Sequence, residues 1–261
     1  MKTTKLAWHD LQLILLRCPK IVLTQLKENH GKVFLAGGAI RSTIAGEYIN
    51  DFDLFVGSKE EAVKLANAMV KDKDRATKDN GLLPGIFESE NAFTLIQYKP
   101  RIQIIHRWTF TDPCQCILSF DFSVAQAAVW WQADNEEKGH WESCVSEGFY
   151  QDLAAKRLIY SSPLRNEEAG GSLLRVLKFY QKGYRIPLDA FAKVIARLLS
   201  GVDPDNRAFW LGERADGAAL SNNESVEDYR AKILSGLLRE VDPNVDPEHI
   251  AHLPSNPQPE Q

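Results

Sequence analysis

Residues 34–56, Phe-Leu-Ala-Gly-Gly-Ala-Ile-Arg-Ser-Thr-Ile-Ala-Gly-Glu-Tyr-Ile-Asn-Asp-Phe-Asp-Leu-Phe-Val, constrain this chain more than any other stretch. The pattern predicts an apolar strand over Lys32–Ala36, a turn at Gly37-Gly38, a short helix over 38–46 and a second strand over Asp51–Val56. Adjacent glycines let the backbone come close to a phosphate, and a helix opening behind them turns N–H groups toward that anion. Residues i and i+2 of a strand share a face, so Asp51 and Asp53 present two carboxylates side by side. Such a pair suits Mg²⁺ or Mn²⁺ completed by substrate phosphates. A phosphate cradle facing a metal-binding carboxylate pair implies phosphoryl or nucleotidyl transfer. Arg41 falls one turn into the short helix, where it serves either as a triphosphate ligand or as a salt-bridging side chain.

The chain of 261 residues is 44% hydrophobic and 25% charged, the composition of a globular protein with one large domain or two modest ones. It has no apolar run of the roughly 18 residues that a membrane-spanning helix needs and no secretory leader, so no membrane partner and a cytoplasmic location are expected. The net charge of −4 means that any RNA must be held by a local basic patch. Cys18, Cys114, Cys116 and Cys144 lack the spacing of a zinc site and are expected as reduced thiols.

Residues 8–30 read as two helices broken at Cys18-Pro19, and Ser58 with Glu61 reads as a capping box opening a helix. Ala92–Tyr98 and Arg101–His106 are strand-like, a helix is expected over 112–119, and a strand over Phe120–Trp131. Beyond Phe149 the period becomes helical, with helices expected over 167–182, 188–199 and 224–240. The fold expected is therefore an α/β (α+β) head with a small mixed sheet and helices on one face over residues 1–135. A mainly helical part follows over 136–241, with a mobile tail over 242–261.

The Gly-Gly turn, helix and Asp-x-Asp strand resemble the signature of the polymerase-β-like nucleotidyltransferase superfamily, most closely the bacterial CCA-adding enzyme and poly(A) polymerase branch. Gly37, Gly38, Arg41, Gly46, Asp51 and Asp53 match that pattern. Ser119–Ala128 resembles the branch's Arg-Asp-Phe-Thr-Ile-Asn-Ala block, with Asp121 matched and Phe120 in place of the Arg. Gln151–Ile159 resembles its Asp-Leu block, and Arg175–Ile186 its Arg-x-x-Arg-Phe helix ending in Gly-Phe. The likeness covers residues 20–195. It implies catalytic roles for Asp51, Asp53 and Asp121, the first two as metal ligands. It also implies nucleotide contacts from Gly37, Gly38, Arg41, Arg107, Arg175 and Lys178. Asp121 is open between an active-site carboxylate and a structural hydrogen bonder. Arg175, Lys178, Lys182 and Arg185 form a basic stripe open between phosphate contact and a solvated face.

The departures carry equal information. Ser42 stands where the branch has Asp, and neutral Gln103 where many members have a third acidic residue. Ala169 and Ser172 stand where an Asp and an Arg read the incoming base, with Glu168 retained, so the CTP-then-ATP programme of CCA addition is not expected. The resemblance implies a metal-dependent nucleotidyltransferase moving a nucleoside monophosphate from a nucleoside triphosphate to a hydroxyl, foremost an RNA or tRNA 3′ end. The alternatives are a degenerate fold that binds nucleotide, RNA or protein without turnover, and a toxin-like enzyme modifying tRNA or protein.

Overall fold

The computed structural model describes residues 2–70, 80–135, 138–161, 169–212 and 225–241. The chain divides into two compact units, Met1–Ala155 and Lys156–Gln261. The first runs β1 (Thr3–Thr4), α1 (Trp8–Arg17), α2 (Lys20–Glu28), β2 (Val33–Ala36), α3 (Gly38–Ile44), β3 (Asp51–Val56) and α4 (Lys59–Met69). It continues through β4 (Ile86–Glu88), β5 (Ala92–Leu95), β6 (Arg101–Ile105), α5 (Pro113–Leu118), β7 (Ala127–Ala133), β8 (Gly139–Ser146) and α6 (Phe149–Ala154). The eight strands form one mixed sheet in the order β1-β8-β7-β2-β3-β6-β5-β4. Only β3 and β6 are parallel neighbours among these pairs. The class is mixed α/β.

Period-2 alternation on β3 decides which face does what. Phe52, Leu54 and Val56 point one way and are buried, with Leu54 level with Leu35 of β2 and Ile104 of β6. On that side α4 contributes Ala62, Leu65, Ala66 and Met69, and α2 contributes Val22 and Leu26. Asp51, Asp53 and Phe55 point the other way. There Phe55 joins Phe34, Ala36, Ala128 and Cys144 under Cys116 and Ile117 of α5 and under Phe120. The sheet is thus covered on both faces, not one, because α5 folds back over the half built from β2, β7 and β8. Ser58 caps α4 by accepting from the Glu61 N–H at 3.1 Å, while Glu61 Oε2 accepts from the N–H of Gly57, one residue ahead of the expected box.

The predicted strand over Phe120–Trp131 is shorter and later. A bend carries Asp121, a 3-10 turn covers Ser123–Ala125, and the strand begins at Ala127. Two buried polar contacts hold this bend: Gln126 Nε2 donates to the Phe120 carbonyl at 3.0 Å, and Ser123 Oγ donates to Asp152 Oδ2 of α6 at 2.6 Å. The second contact ties two of the blocks recognised separately in the sequence. The sheet also runs past residue 135, because β8 adds a hairpin strand through Ser146. Its weak pattern explains the omission: the buried end of β8 is Ser-Cys-Val-Ser, half hydroxyl.

The second unit contains α7 (Gly171–Gln181), α8 (Leu188–Leu199), α9 (Arg207–Leu211) and α10 (Val226–Val241). The three expected helices are present with ends shifted by a few residues, and α9 is an addition. Gly183, at φ 85°, ends α7 in a left-handed turn. The expected tail over 242–261, the retained Glu168 and the start at residue 224 lie outside the described residues. Replacing Ser123 by Ala removes a charge-assisted hydrogen bond from a buried carboxylate. It is expected to cost about 2 kcal/mol of stability in denaturant unfolding, whereas Ser123→Thr retains most of it.

Candidate functional site

Strand register sets the geometry of the aspartates. Asp53 lies between Ala36 of β2 and Gln103 of β6, and Asp51 lies beside Arg101 of β6. Laterally paired residues project from the same face. One row across the sheet therefore reads Phe87, Thr94, Gln103, Asp53, Ala36, Ala128, Cys144. From Ala36 onward that row is roofed by α5 and Phe120. Toward β4 it passes half-buried Gln103 and buried Thr94 to exposed Phe87, and Arg101, level with Asp51, is exposed as well. Gln103 is half-buried and donates through Nε2 to Thr94 Oγ1 at 3.3 Å. It occupies the lateral place beside Asp53 with an amide.

Asp53 is half-buried as a residue, but its Oδ1 is shielded from solvent and has no hydrogen-bond partner among the described residues. Burial first, and the Asp51 charge second, push its carboxyl well above the usual carboxylate range. A buried carboxylate oxygen with nothing to bind, beside a second carboxylate, fits a hard divalent cation. Among the described residues no group of three His, Cys, Asp or Glu could hold a metal. Asp51 and Asp53 are the residues that could hold Mg²⁺ or Mn²⁺, ions that bind through one or two carboxylates plus other oxygen ligands. Without such an ion the pair destabilises the fold. The Asp53 proton is held more tightly in the folded chain, so its favourable contribution is present at low pH. That contribution is lost as the pH rises from about 4, the ordinary aspartate value, through the raised folded value. Asp53→Asn is therefore expected to raise the unfolding temperature at neutral pH in EDTA, with a smaller difference near pH 4.

The turn after β2 has the conformation that its glycines permit. Gly37, at φ 87° and ψ −133°, occupies a region closed to other residues, and its N–H donates to the Ala127 carbonyl at 2.9 Å. Gly37 is buried with the Phe120 ring 3.5 Å from where a Cβ would stand, whereas Gly38 is half-exposed. Phe120 thus fills one side of the turn with a phenyl ring. Arg41 folds back toward Gly38, its guanidinium nitrogens 3.8 and 3.9 Å from the position of an added Cβ. It is buried, donates through Nη2 to Ser42 Oγ at 2.9 Å, and lies 3.6 Å from Glu47 Oε2. The charge opposing Arg41 comes from Glu47, five residues beyond the serine that replaces the expected Asp. Glu47→Gln leaves a buried guanidinium without that charge and is expected to cost about 3 kcal/mol in chemical unfolding.

The remaining sequence candidates are placed as follows. Asp121 is buried on the bend between α5 and the 3-10 turn, not on a strand. Arg107 lies toward the opposite end of the strands from Asp51. Ile105, two residues before it, is already level with Phe55, and the exposed Arg107 side chain donates to Asn91 Oδ1 and stacks 4.9 Å from Trp108. Arg175 and Lys178 belong to α7 in the second unit, Arg175 folded against Gly171 and Lys178 exposed. Arg185 turns back to stack on Tyr180 at 4.5 Å and so leaves the stripe. Ala169 and Ser172 flank the start of α7, Ser172 buried. Sequence reasoning missed Arg101. The signal was available: Arg101 precedes Gln103 by two residues as Asp51 precedes Asp53.

Comparison with known proteins places the chain as follows. The profile of a family described as Gabija anti-defense 2 matches residues 12–156. A protein of Bacillus phage SPbetaL7 named Gabija anti-defense 2 is 25% identical over 170 residues, which is 65% of this chain and 38% of that protein. The chain therefore spans well under half the length of that relative. Among solved structures, the Thermotoga maritima CCA-adding enzyme complexed with tRNA superposes with a TM-score of 0.48 at 16% identity, over 77% of this chain and 47% of that one. A CCA-adding enzyme in complex with ATP gives 0.49 at 15% identity, over 77% and 48%. No helix among the described residues is long and apolar enough to cross a membrane.

Proposed function

The chain belongs to the Gabija anti-defense 2 family, and on that premise we propose that it is a metal-dependent nucleotidyltransferase. It would transfer a nucleoside monophosphate from a nucleoside triphosphate to a hydroxyl, foremost at an RNA or tRNA 3′ end. The observation that carries this reading is the buried, unsatisfied Oδ1 of Asp53 beside Asp51, one strand away from the Gly37-Gly38 turn. A carboxylate pair that repels itself has a use where a cation and phosphates complete it. The name of the phage relative assigns that protein to countering the Gabija defence, and we extend that setting to this chain.

Asp51 and Asp53 would hold Mg²⁺ or Mn²⁺, which when bound activates an attacking hydroxyl and neutralises charge on the reacting phosphate. Gly38 leaves room for phosphate oxygens to approach the backbone, and Arg41 behind it supplies positive potential from a fixed position. Phe120, packed over Gly37, keeps water from that side of the turn. The residues thus act by holding and orienting, which accounts for most of the rate in phosphoryl chemistry. With Ala169 and Ser172 where the resembled branch has Asp and Arg, nucleotide choice in this reading is not the ordered addition of C, C and A.

A second reading is a nucleotide-binding module without turnover. Gln103 beside Asp53 and Phe120 over Gly37 favour it, since both replace charged groups of the resembled family. Incubating the protein with each labelled nucleoside triphosphate, total RNA and lysate separates the two. The expected outcome is Mn²⁺- or Mg²⁺-dependent label on a macromolecule, falling by three or more orders of magnitude in Asp53→Asn while that variant remains folded. Label that survives in Asp53→Asn removes the pair from the chemistry. Metal-dependent nucleotide binding with no label on any acceptor establishes the binding module.

A further inference from the structure

Three neighbouring strands place the polar groups of the site in a fixed order. On one side of the aspartates is β2, ending in Ala36 level with Asp53 and leading into Gly37-Gly38. On the other side is β6, with Arg101 level with Asp51 and Gln103 level with Asp53. Side chains at these register positions share one face, and adjacent strands are about 4.8 Å apart. Asp51 and Asp53 therefore stand between the glycine turn and Arg101.

The two arginines nearest this row differ in what already engages them. Arg41, on the glycine side, is buried against Ser42 and Glu47. Arg101 is exposed, and no hydrogen bond or ion pair engages it among the described residues, Asp51 included. A long exposed side chain one strand from a carboxylate would ordinarily close a surface ion pair with it. Arg101 instead keeps all five donors open, and exposed Phe87 lies on the same face two strands away, level with Gln103. In-line displacement at phosphorus puts the entering and leaving oxygens on opposite sides of the reacting centre. If the triphosphate lies on the glycine side, the entering hydroxyl arrives from the β6 side, where Arg101 stands.

We propose that Arg101 binds a phosphodiester of the acceptor, so that the acceptor is a single-stranded nucleic acid end and not a protein hydroxyl. This rests on the nucleotidyltransferase reading and specifies its acceptor. Guanidinium recognises phosphate oxygens in a bidentate fork, and Phe87 offers an exposed ring of the kind on which an unpaired base stacks. Neither group has a use for a serine or tyrosine hydroxyl carried on a folded protein.

The test measures three affinities on the full chain: Mn²⁺ alone, a non-hydrolysable nucleoside triphosphate with Mn²⁺, and a fluorescent single-stranded oligoribonucleotide with Mn²⁺. Arg101→Gln is expected to weaken the oligoribonucleotide about tenfold and to lower the slope of log affinity against log salt by about one. Mn²⁺ affinity, triphosphate affinity and unfolding temperature should be unchanged. Arg101→Lys should restore part of the loss, and Lys64→Gln, an equal change of net charge at an exposed site on α4, should leave oligoribonucleotide binding as it was. Loss of triphosphate affinity in Arg101→Gln overturns the acceptor-side assignment, as does an oligoribonucleotide affinity equal to wild type. So does an oligoribonucleotide that wild type does not bind, or label found on protein in the transfer assay. If wild type and Asp53→Asn bind Mn²⁺ alike, the nucleotidyltransferase reading itself falls, and this proposal with it.

Discussion

One constraint organises the first unit: β3 buries apolar side chains on one face and carboxylates on the other. Phe52, Leu54 and Val56 anchor the strand in the core shared with β2, β6, α2 and α4. A slip of one residue in its pairing would drive Asp51 and Asp53 into that core and expose three large hydrophobic side chains. The register is therefore held by several core side chains at once, and the positions of the carboxylates follow from it. Asp53 is locally unfavourable to the fold, since it is buried without a partner for Oδ1 and faces the charge of Asp51. Core packing stabilises an arrangement that is locally unfavourable, which is how strained or repelling groups persist at sites of function.

The opposite halves of the carboxylate face have different characters. Over β2, β7 and β8, α5 and Phe120 make a dry roof in which Cys116, Cys144, Phe34 and Phe55 pack together. Over β6, β5 and β4 the same face carries half-buried Gln103 and buried Thr94 in line with Asp53, and exposed Arg101 level with Asp51. The boundary between the halves runs along β3. Buried Arg41 is held with Glu47 3.6 Å away, whereas exposed Arg101 has its guanidinium open to a ligand. This difference in burial, and not distance along the chain, separates an arginine fixed by an internal partner from one left open.

The polar contact between Ser123 and Asp152 shows how segments distant in sequence maintain the turn. Phe120 can lie against Gly37 because the bend after α5 is pinned by Gln126 and by α6 through Ser123. Residues nearly thirty positions apart thus determine what covers a glycine more than eighty positions earlier. A satisfied buried polar network of this kind specifies one backbone path, because each alternative strands a polar group away from water.

The amino-acid sequence alone determined the elements whose periodicity is strong. β2, the Gly37-Gly38 turn, α3, β3, the Ser58 cap and the helices α7, α8 and α10 all follow from local pattern, turn chemistry and capping. The pairing of Asp51 and Asp53 follows from the period of a strand. Elements with diluted patterns were not legible: the buried end of β8 is half serine, and the path from Phe120 to Gln126 depends on partners far along the chain. Only the tertiary structure decided which positive charge lies level with the aspartates. Arg41 and Arg107 sit close in sequence to motif residues, yet one is taken up by Glu47 and the other lies toward the far end of the strands. Arg101 stands level with Asp51 because β6 pairs parallel to β3, and strand pairing is a long-range choice made by the burial of both strands together, which no local stretch of sequence encodes.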